Sequence, residues 1–118
     1  MKKYLIGVIA SASLLTALLA VRVSAQSKTF TGEIMDQQCA FLGGHSAMQN
    51  KGESAKDCTN RCVSIGGKYV LYDASSKTAY QLDDQRKPQA FAGTKVEVTG
   101  SLDSSTKTIH VANIKAAS

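Results

Sequence analysis

The chain has 118 residues, and its 14 basic and 9 acidic residues give a formal net charge of +5. Three of the basic residues, Lys2, Lys3 and Arg22, lie in the first 25 positions, so the remaining 93 residues carry 11 basic and 9 acidic side chains, a net charge of +2. That balance provides no electrostatic basis for binding nucleic acid, and we expect no nucleic-acid partner. Ninety-three residues are enough for one domain with one modest hydrophobic core.

The first 25 residues have the layout of a secretory signal peptide. A short basic start is followed by an apolar stretch from Tyr4 to Val21, and small or short residues lead to the end of the segment at Ala25. Hydroxyl residues interrupt the apolar stretch, so it barely meets the requirement of about 20 apolar residues for a membrane-spanning helix. The sequence therefore predicts a signal peptide over residues 1–25 and a single domain over residues 26–118, secreted or periplasmic, with no membrane anchor.

The first part of that domain predicts a strand, a loop and a helix. Lys28–Met35 alternates in the manner of a half-buried strand. Asp36–Glu53 has no periodicity and contains three glycines, which is typical of a loop. A helix is predicted over Ser54–Ile65, because a serine with an aspartate three residues later resembles a capping box. Gly66-Gly67 can adopt the left-handed conformation that ends a helix.

The second part predicts two hairpins. Lys68–Asp73 and Lys77–Leu82 flank one turn rich in Asp and Ser, and Lys95–Leu102 and Lys107–Ile114 flank another. The connection between the hairpins, Asp83–Gly93, begins with a charged cluster and can form one helical turn near its end. Together the elements predict a mainly β fold, a small five-stranded OB-like or Greek-key barrel, with one short helix in a Cys-rich insert between strands 1 and 2. The insert spans residues 36–66.

The insert holds every cysteine of the chain. Cys39, His45, Met48, Cys58 and Cys62 follow the pattern C-x5-H-x2-M-x9-C-x3-C. The last two cysteines are four positions apart on the predicted helix and therefore share one face. With Cys39 and either the histidine or the methionine they can form a four-ligand metal site. Three cysteines and a histidine suit zinc, whereas cysteines with a methionine favour Cu(I), because soft donors prefer soft metals.

Two other interpretations use the same sulfurs. A disulfide from Cys39 to Cys58 or Cys62 would close a loop of about 20 residues, worth on the order of 3 kcal/mol, and would leave one thiol over. A thiol redox protein would need a cysteine with a lowered pKa, and Cys58 lies in the first turn of the predicted helix, where the dipole favours the thiolate. The spacing leaves all three interpretations open.

Residues outside the cysteine pattern give little support for catalysis. The chain has no nucleophile elbow and no phosphate-binding glycine loop, so we expect no enzymatic activity. Glu33 and Asp36 lie close to the insert and can act as partners that hold its ligands in place without binding the metal themselves. His110, in the last strand, is expected at the surface or the barrel rim.

Several segments carry a resemblance to a known family. They are GEIMDQQCA (Gly32–Ala40), GGH (Gly43–His45), CTNRCV (Cys58–Val63), GKYVLYD (Gly67–Asp73) and FAGTKVEVTG (Phe91–Gly100). In these segments the chain resembles a family of small secreted bacterial proteins of unknown function with an OB-like β-barrel. The resemblance implies a fold and an exported location, and it implies no activity.

The sequence thus leads to three functional hypotheses. The first is a non-enzymatic exported binding module whose insert binds zinc or copper through Cys39, His45, Cys58 and Cys62, with Met48 as an additional candidate ligand. The second is a disulfide-stabilised OB-like interaction module that binds a peptide, a glycan or another small ligand. The third is a thiol redox protein. A small ligand or a protein is the expected kind of partner in the second case.

Overall fold

Five strands close into one ring. The protein is described here by a computed structural model that covers residues 26–118, and the predicted signal peptide, residues 1–25, lies outside the described residues. The strands are β1 (Lys28–Asp36), β2 (Tyr69–Asp73), β3 (Thr78–Leu82), β4 (Lys95–Asp103) and β5 (Thr108–Ala116). Their order around the ring is β1-β2-β3-β5-β4. Within residues 26–118, no helix has the length and apolar character needed to cross a membrane.

The ring is closed but irregular. All neighbouring strands are antiparallel except β3 and β5, which pair in parallel only at Gln81 with Thr108 and at Leu82 with Ile109. The strand ends lie within two residues of the predicted ends. The predicted fold class, a mainly β five-stranded closed sheet with a helix between the first two strands, is confirmed.

The molecule has two buried apolar clusters, and they share no residue. The ring core includes Ile34, Leu71, Val96, Val98 and Ile109, all fully buried. The second cluster lies between the ring and the insert and consists of Met35, Cys39, Ala40, Cys58, Cys62, Val70 and Tyr72. Successive residues of β1 and β2 belong to different clusters, because side chains alternate across a strand. These two strands therefore connect the ring core to the insert.

The insert contains more helix than the sequence indicated. The segment Asp36–Glu53, predicted as a loop, also contains the five-residue helix α1 (Gln37–Phe41) and a 3-10 turn (His45–Ala47). Asp36 Oδ2 starts α1 by accepting hydrogen bonds from the backbone amides of Gln38 (2.9 Å) and Cys39 (3.4 Å). An N-cap aspartate satisfies amides that have no partner inside the helix, which explains why so short a helix forms here.

The predicted helix is present as α2 (Ala55–Ser64). Ser54 Oγ accepts a hydrogen bond from the backbone amide of Asp57 (3.0 Å), as the predicted cap requires. The helix ends before Gly66, whose φ of +112° is a conformation that favours glycine. Cys58 and Cys62 lie on its buried face, whereas Ile65 follows the helix and is 78% exposed.

Candidate metal centre

The cysteines and the histidine come from three consecutive elements of the insert. Cys39 lies on α1, His45 opens the 3-10 turn, and Cys58 and Cys62 lie on α2. Cys39 and Cys58 are fully buried and Cys62 is 5% exposed. All three thiols therefore lie between the insert and the ring, outside the ring core.

Two groups of donor atoms form in this region. The Cys39 and Cys58 sulfurs and a ring nitrogen of His45 all lie within 4.8 Å of one another. A second group, with the same limit, joins Cys39 and Cys62 to a carboxylate oxygen of Asp36. Three of the four predicted ligands therefore meet in one group, and Cys62 is connected to them through Cys39. Residues four apart on a helix have Cβ atoms about 5–6 Å apart, so a shared face does not by itself bring two sulfurs together.

His45 is oriented by a carboxylate. Its Nε2 lies 2.9 Å from Glu33 Oε1, and the two side chains are 11% and 24% exposed, respectively. A carboxylate only accepts hydrogen bonds, so Nε2 carries a proton, and in the neutral imidazole Nδ1 then holds the lone pair. Nδ1 is buried and has no hydrogen-bond partner among residues 26–118. Histidines that bind metals usually donate their other ring N–H to a carboxylate or a carbonyl, and His45 has this arrangement.

Asp36 offers a carboxylate oxygen that could bind a metal, whereas the sequence analysis predicted only that it supports the ligands. Its side chain is 1% exposed. One oxygen, Oδ2, caps α1, while Oδ1 is buried with no hydrogen-bond partner in the described part of the chain. A Cβ atom at Gly67 would collide with Oδ1, so the glycine leaves room for the carboxylate. The sequence signal for this role was the position of Asp36 between a strand and the first cysteine.

The two deepest thiols are poor nucleophiles. Burial, together with the neighbouring Cys58 and Cys62, raises the pKa of Cys39 to about 12. Burial also raises the pKa of Cys58. Desolvation therefore outweighs the helix dipole that was expected to favour a Cys58 thiolate. Both thiols are neutral at physiological pH unless a bound cation displaces their protons, as metal ions do at cysteine ligands.

No disulfide is formed among the cysteines within residues 26–118, since Cys39, Cys58 and Cys62 are all free thiols. The predicted bond from Cys39 to Cys58 or Cys62 is therefore not present in the structure. Met48 packs against the cluster that contains the three cysteines. Its carbonyl oxygen accepts a hydrogen bond from Arg61 Nη2 (2.8 Å).

A salt bridge fixes the end of the insert. Arg61 Nε donates to Glu53 Oε1 (2.8 Å), and its Nη2 lies 3.9 Å from the Cys58 sulfur. The hydrogen bonds from Arg61 lower the pKa of Glu53 to about 2, so the carboxylate is charged at any ordinary pH. His110, by contrast, is exposed on β5 next to Asp83 (3.1 Å), in agreement with its predicted place at the surface.

Comparison with known proteins places the candidate centre outside the region of similarity. Residues 63–117 match a family described as "Protein of unknown function (DUF5818)". The match covers β2 to β5 and less than half of the chain, and it begins directly after Cys62. No curated protein and no solved structure matches the chain. The similarity is consistent with a small protein of unknown function, and it does not extend to the cysteines or to His45.

Proposed function

We propose that the protein is a small exported binding module, not an enzyme, whose insert holds a transition-metal ion, zinc or copper. The observation that carries this proposal is the meeting of the Cys39 and Cys58 sulfurs with a nitrogen of His45. In a site with a single ion, Cys62 would move towards this group to supply the fourth ligand, since its sulfur lies within 4.8 Å of that of Cys39. Thiolates with an imidazole form a donor set that suits zinc and also Cu(I).

Buried polar atoms without partners support a metal at this place. The buried side-chain atoms without a hydrogen bond in residues 26–118 are Asp36 Oδ1, His45 Nδ1 and Thr59 Oγ1. Two of these three belong to groups that can bind a cation. A buried polar group left unsatisfied costs about 1–3 kcal/mol, and a metal ion bound by His45 would remove that cost at His45 Nδ1.

The same residues argue against thiol catalysis. Glu33, His45 and a cysteine have the order of a carboxylate–imidazole–thiol triad. A nucleophile must be reachable by its substrate, and Cys39 and Cys58 have no exposed surface. A redox thiol needs a lowered pKa, whereas burial raises the pKa of both. The triad order is therefore better explained by a histidine that is positioned to bind a metal.

An interaction module is the second candidate, and one observation favours it. A groove of about 580 Å³ lies between the insert and β3, and its lining includes Phe41 and Ile65. These side chains are 84% and 78% exposed. Large apolar side chains beside a groove are typical of a surface that binds a ligand or a protein. In this alternative, a disulfide from Cys39 to Cys58 or Cys62 would take the structural role of the metal.

Export is part of the proposal and is supported by residues 1–25, which have the layout of a signal peptide. Thiols outside the cytoplasm are exposed to oxidation. A bound metal ion would hold them as thiolate ligands instead, so an exported location and a metal centre are compatible.

The test is metal content measured by native mass spectrometry on protein exported from a bacterial host that expresses the full chain. We expect bound zinc or copper, and three thiols that react with an alkylating reagent after denaturation. Cys39→Ser, Cys58→Ser and Cys62→Ser should each lose or weaken the metal, and His45→Ala should weaken it. His110→Ala is the matched control, because that histidine is exposed and belongs to neither group of donor atoms.

Each alternative gives a different mass. A protein that is two daltons lighter, contains no metal and has one reactive thiol would support the disulfide-stabilised interaction module. Three reactive thiols with no metal at any supplied zinc or copper concentration would refute both metal binding and the disulfide.

A further inference from the structure

We infer that the insert is a two-metal zinc site in which the Cys39 sulfur bridges two ions. Cys58 and His45 would complete the inner site, and Asp36 and Cys62 would complete the outer site. The inference rests on the proposed function, because it requires that the thiols bind metal. It goes beyond that function in the number of ions, the identity of the metal and the role of Asp36.

The grouping of the donors is the first argument. The five donor atoms do not form one group in the structure; they form two groups of three that share Cys39. Zinc lies about 2.3 Å from a cysteine sulfur, so two sulfurs on one tetrahedral ion are about 3.8 Å apart. Donors within 4.8 Å of one another need only small side-chain adjustments to close on an ion. A thiolate has several lone pairs, and one sulfur can therefore serve both groups.

The second argument is the free oxygen of Asp36. Its Oδ2 is fully used by the cap of α1, while Oδ1 is buried and has no hydrogen-bond partner within the described chain. A side chain that is 1% exposed cannot satisfy this oxygen with bulk water. A cation held between Asp36, Cys39 and Cys62 would satisfy it.

The third argument is charge. The ligands would contribute three thiolates and one carboxylate, a total of four negative charges, and the neutral imidazole of His45 adds none. Two Zn²⁺ ions balance these four charges. One Zn²⁺ ion at the inner site would balance only the thiolates of Cys39 and Cys58 and would leave the buried Asp36 carboxylate without a bound cation. Uncompensated charge is costly in a buried site. Of the charged groups around the ligands, Arg61 is paired with Glu53, and Glu33 is bound to the histidine and partly exposed.

The donor set also selects the metal. Asp36 offers a carboxylate oxygen, which Zn²⁺ accepts together with thiolates, whereas Cu(I) prefers sulfur donors. Each ion would have three protein ligands and an open fourth position. Asp36 and Cys62 line the groove of about 580 Å³, and Cys39 and Cys58 do not. The outer ion would therefore be reached from solvent through the groove and would exchange faster than the inner ion.

The experiment counts zinc ions on the exported protein. The protein is stripped of metal under a reductant that does not bind zinc, titrated with Zn²⁺ alone and analysed by native mass spectrometry. We expect two ions to bind in separate steps. Asp36→Asn keeps an oxygen that can cap α1 and removes the carboxylate. It should weaken the second step by at least about tenfold, because even the loss of a residue that supports a ligand has an effect of that size. Asp57→Asn, an exposed aspartate on α2, should leave both steps unchanged.

A second variant guards against a folding defect. Cys62→Ser should also leave one tight ion, and its circular dichroism should match that of the wild type if the insert remains folded. Loading with cadmium gives an independent check, since two ions on one sulfur should produce two cadmium resonances that couple through it.

The outcomes separate the two proposals. No zinc on the wild type would refute this inference, and a wild type that bound neither zinc nor copper would refute the proposed function as well. One zinc on the wild type, with unchanged affinity in Asp36→Asn, would refute the two-metal site and leave the single-metal function intact. Two zinc ions whose binding does not respond to Asp36→Asn or to Cys62→Ser would also overturn the inference.

Discussion

Glu33 is the residue whose replacement tests the metal centre most directly, because it binds no metal itself. Its Oε1 accepts a hydrogen bond from His45 Nε2 at 2.9 Å and thereby leaves Nδ1 free to act as a ligand. Glu33→Ala removes this acceptor and lets the imidazole rotate or change tautomer. Removal of such a supporting partner typically lowers metal affinity by about 10- to 100-fold, or roughly 1.4–2.7 kcal/mol. We expect a loss of zinc affinity in that range. Cys39, Cys58 and Cys62 should still be alkylated after denaturation.

The assay is a competition titration of zinc between the protein and a chromophoric chelator. Glu33→Gln keeps an oxygen acceptor and loses the charge, so its effect should lie at the lower end of the range. Glu97→Ala is the matched control: Glu97 lies on the neighbouring strand β4, its side chain is 30% exposed, and it pairs with Lys115 at 3.2 Å. This control should bind zinc as the wild type does.

The thermal stability of the metal-free protein must be measured beside the affinity. Loss of Glu33 leaves the His45 Nε2–H without its acceptor, which can cost about 1–3 kcal/mol of folding free energy even without metal. A purely structural role would lower the stability and leave zinc affinity unchanged. Equal zinc affinity of Glu33→Ala and the wild type would refute the assignment of His45 Nδ1 as a ligand.

Three further predictions concern the fold. Ile109→Ala should lower the free energy of unfolding by about 2–5 kcal/mol in urea denaturation, because Ile109 is fully buried in the ring core, whereas the exposed Ile65→Ala should change it by less than about 0.5 kcal/mol. Gly32→Ala should destabilise the protein by about 1–3 kcal/mol in the same assay, because the added Cβ would lie 2.5 Å from the Tyr72 carbonyl oxygen; a neutral effect would contradict the close approach of β1 and β2. Hydrogen bonds from backbone amides and a lysine lower the pKa of Asp84 from 3.8 to about 2, so its contribution to stability is present above pH 3.8 and is lost as the pH falls towards 2. Asp84→Asn should therefore melt below the wild type at pH 7 and at the same temperature near pH 2, and a difference that persists at pH 2 would show that the charge is not the cause.

The strands could be predicted because their signals are local. Each alternates in hydrophobicity, and the two hairpins are marked by turns in which an aspartate binds nearby residues. Asp73 Oδ1 and Asp103 Oδ1 accept hydrogen bonds from the backbone amides and hydroxyls of Ser75 and Ser105, respectively. The closure of the ring was not visible in the same way. It depends on the short parallel contact of β3 with β5, which joins residues far apart in sequence.

The helix α1 was missed for a physical reason. Five residues are too few to show helical periodicity, and an isolated helix of that length is unstable in water. It forms because Asp36 caps it and because Cys39 and Ala40 are buried against the ring. Those contacts are tertiary, so the sequence alone shows only a segment without periodicity.

The ligand types were visible in the sequence, and their grouping was not. The pattern indicated one set of Cys39, His45, Cys58 and Cys62. In the structure Cys62 is not in the group that contains the histidine. It belongs to a second group, together with Cys39 and Asp36. The position of Asp36 follows from the register of β1 against β2, where it is paired with Tyr69. Register is a property of the folded sheet, and no local pattern in the chain determines it.

The separation of the two apolar clusters bears on what a metal would do. Ile34 and Leu71 belong to the ring core, whereas Cys39 and Cys58 belong to the cluster under the insert, and no residue is common to both. The ring is held by strand pairing and by its own core, but the insert consists of a five-residue helix, a 3-10 turn and a ten-residue helix. Helices this short depend on tertiary contacts. An ion bound by residues from all three elements would join them at one point, so its binding free energy would stabilise the insert more than the ring.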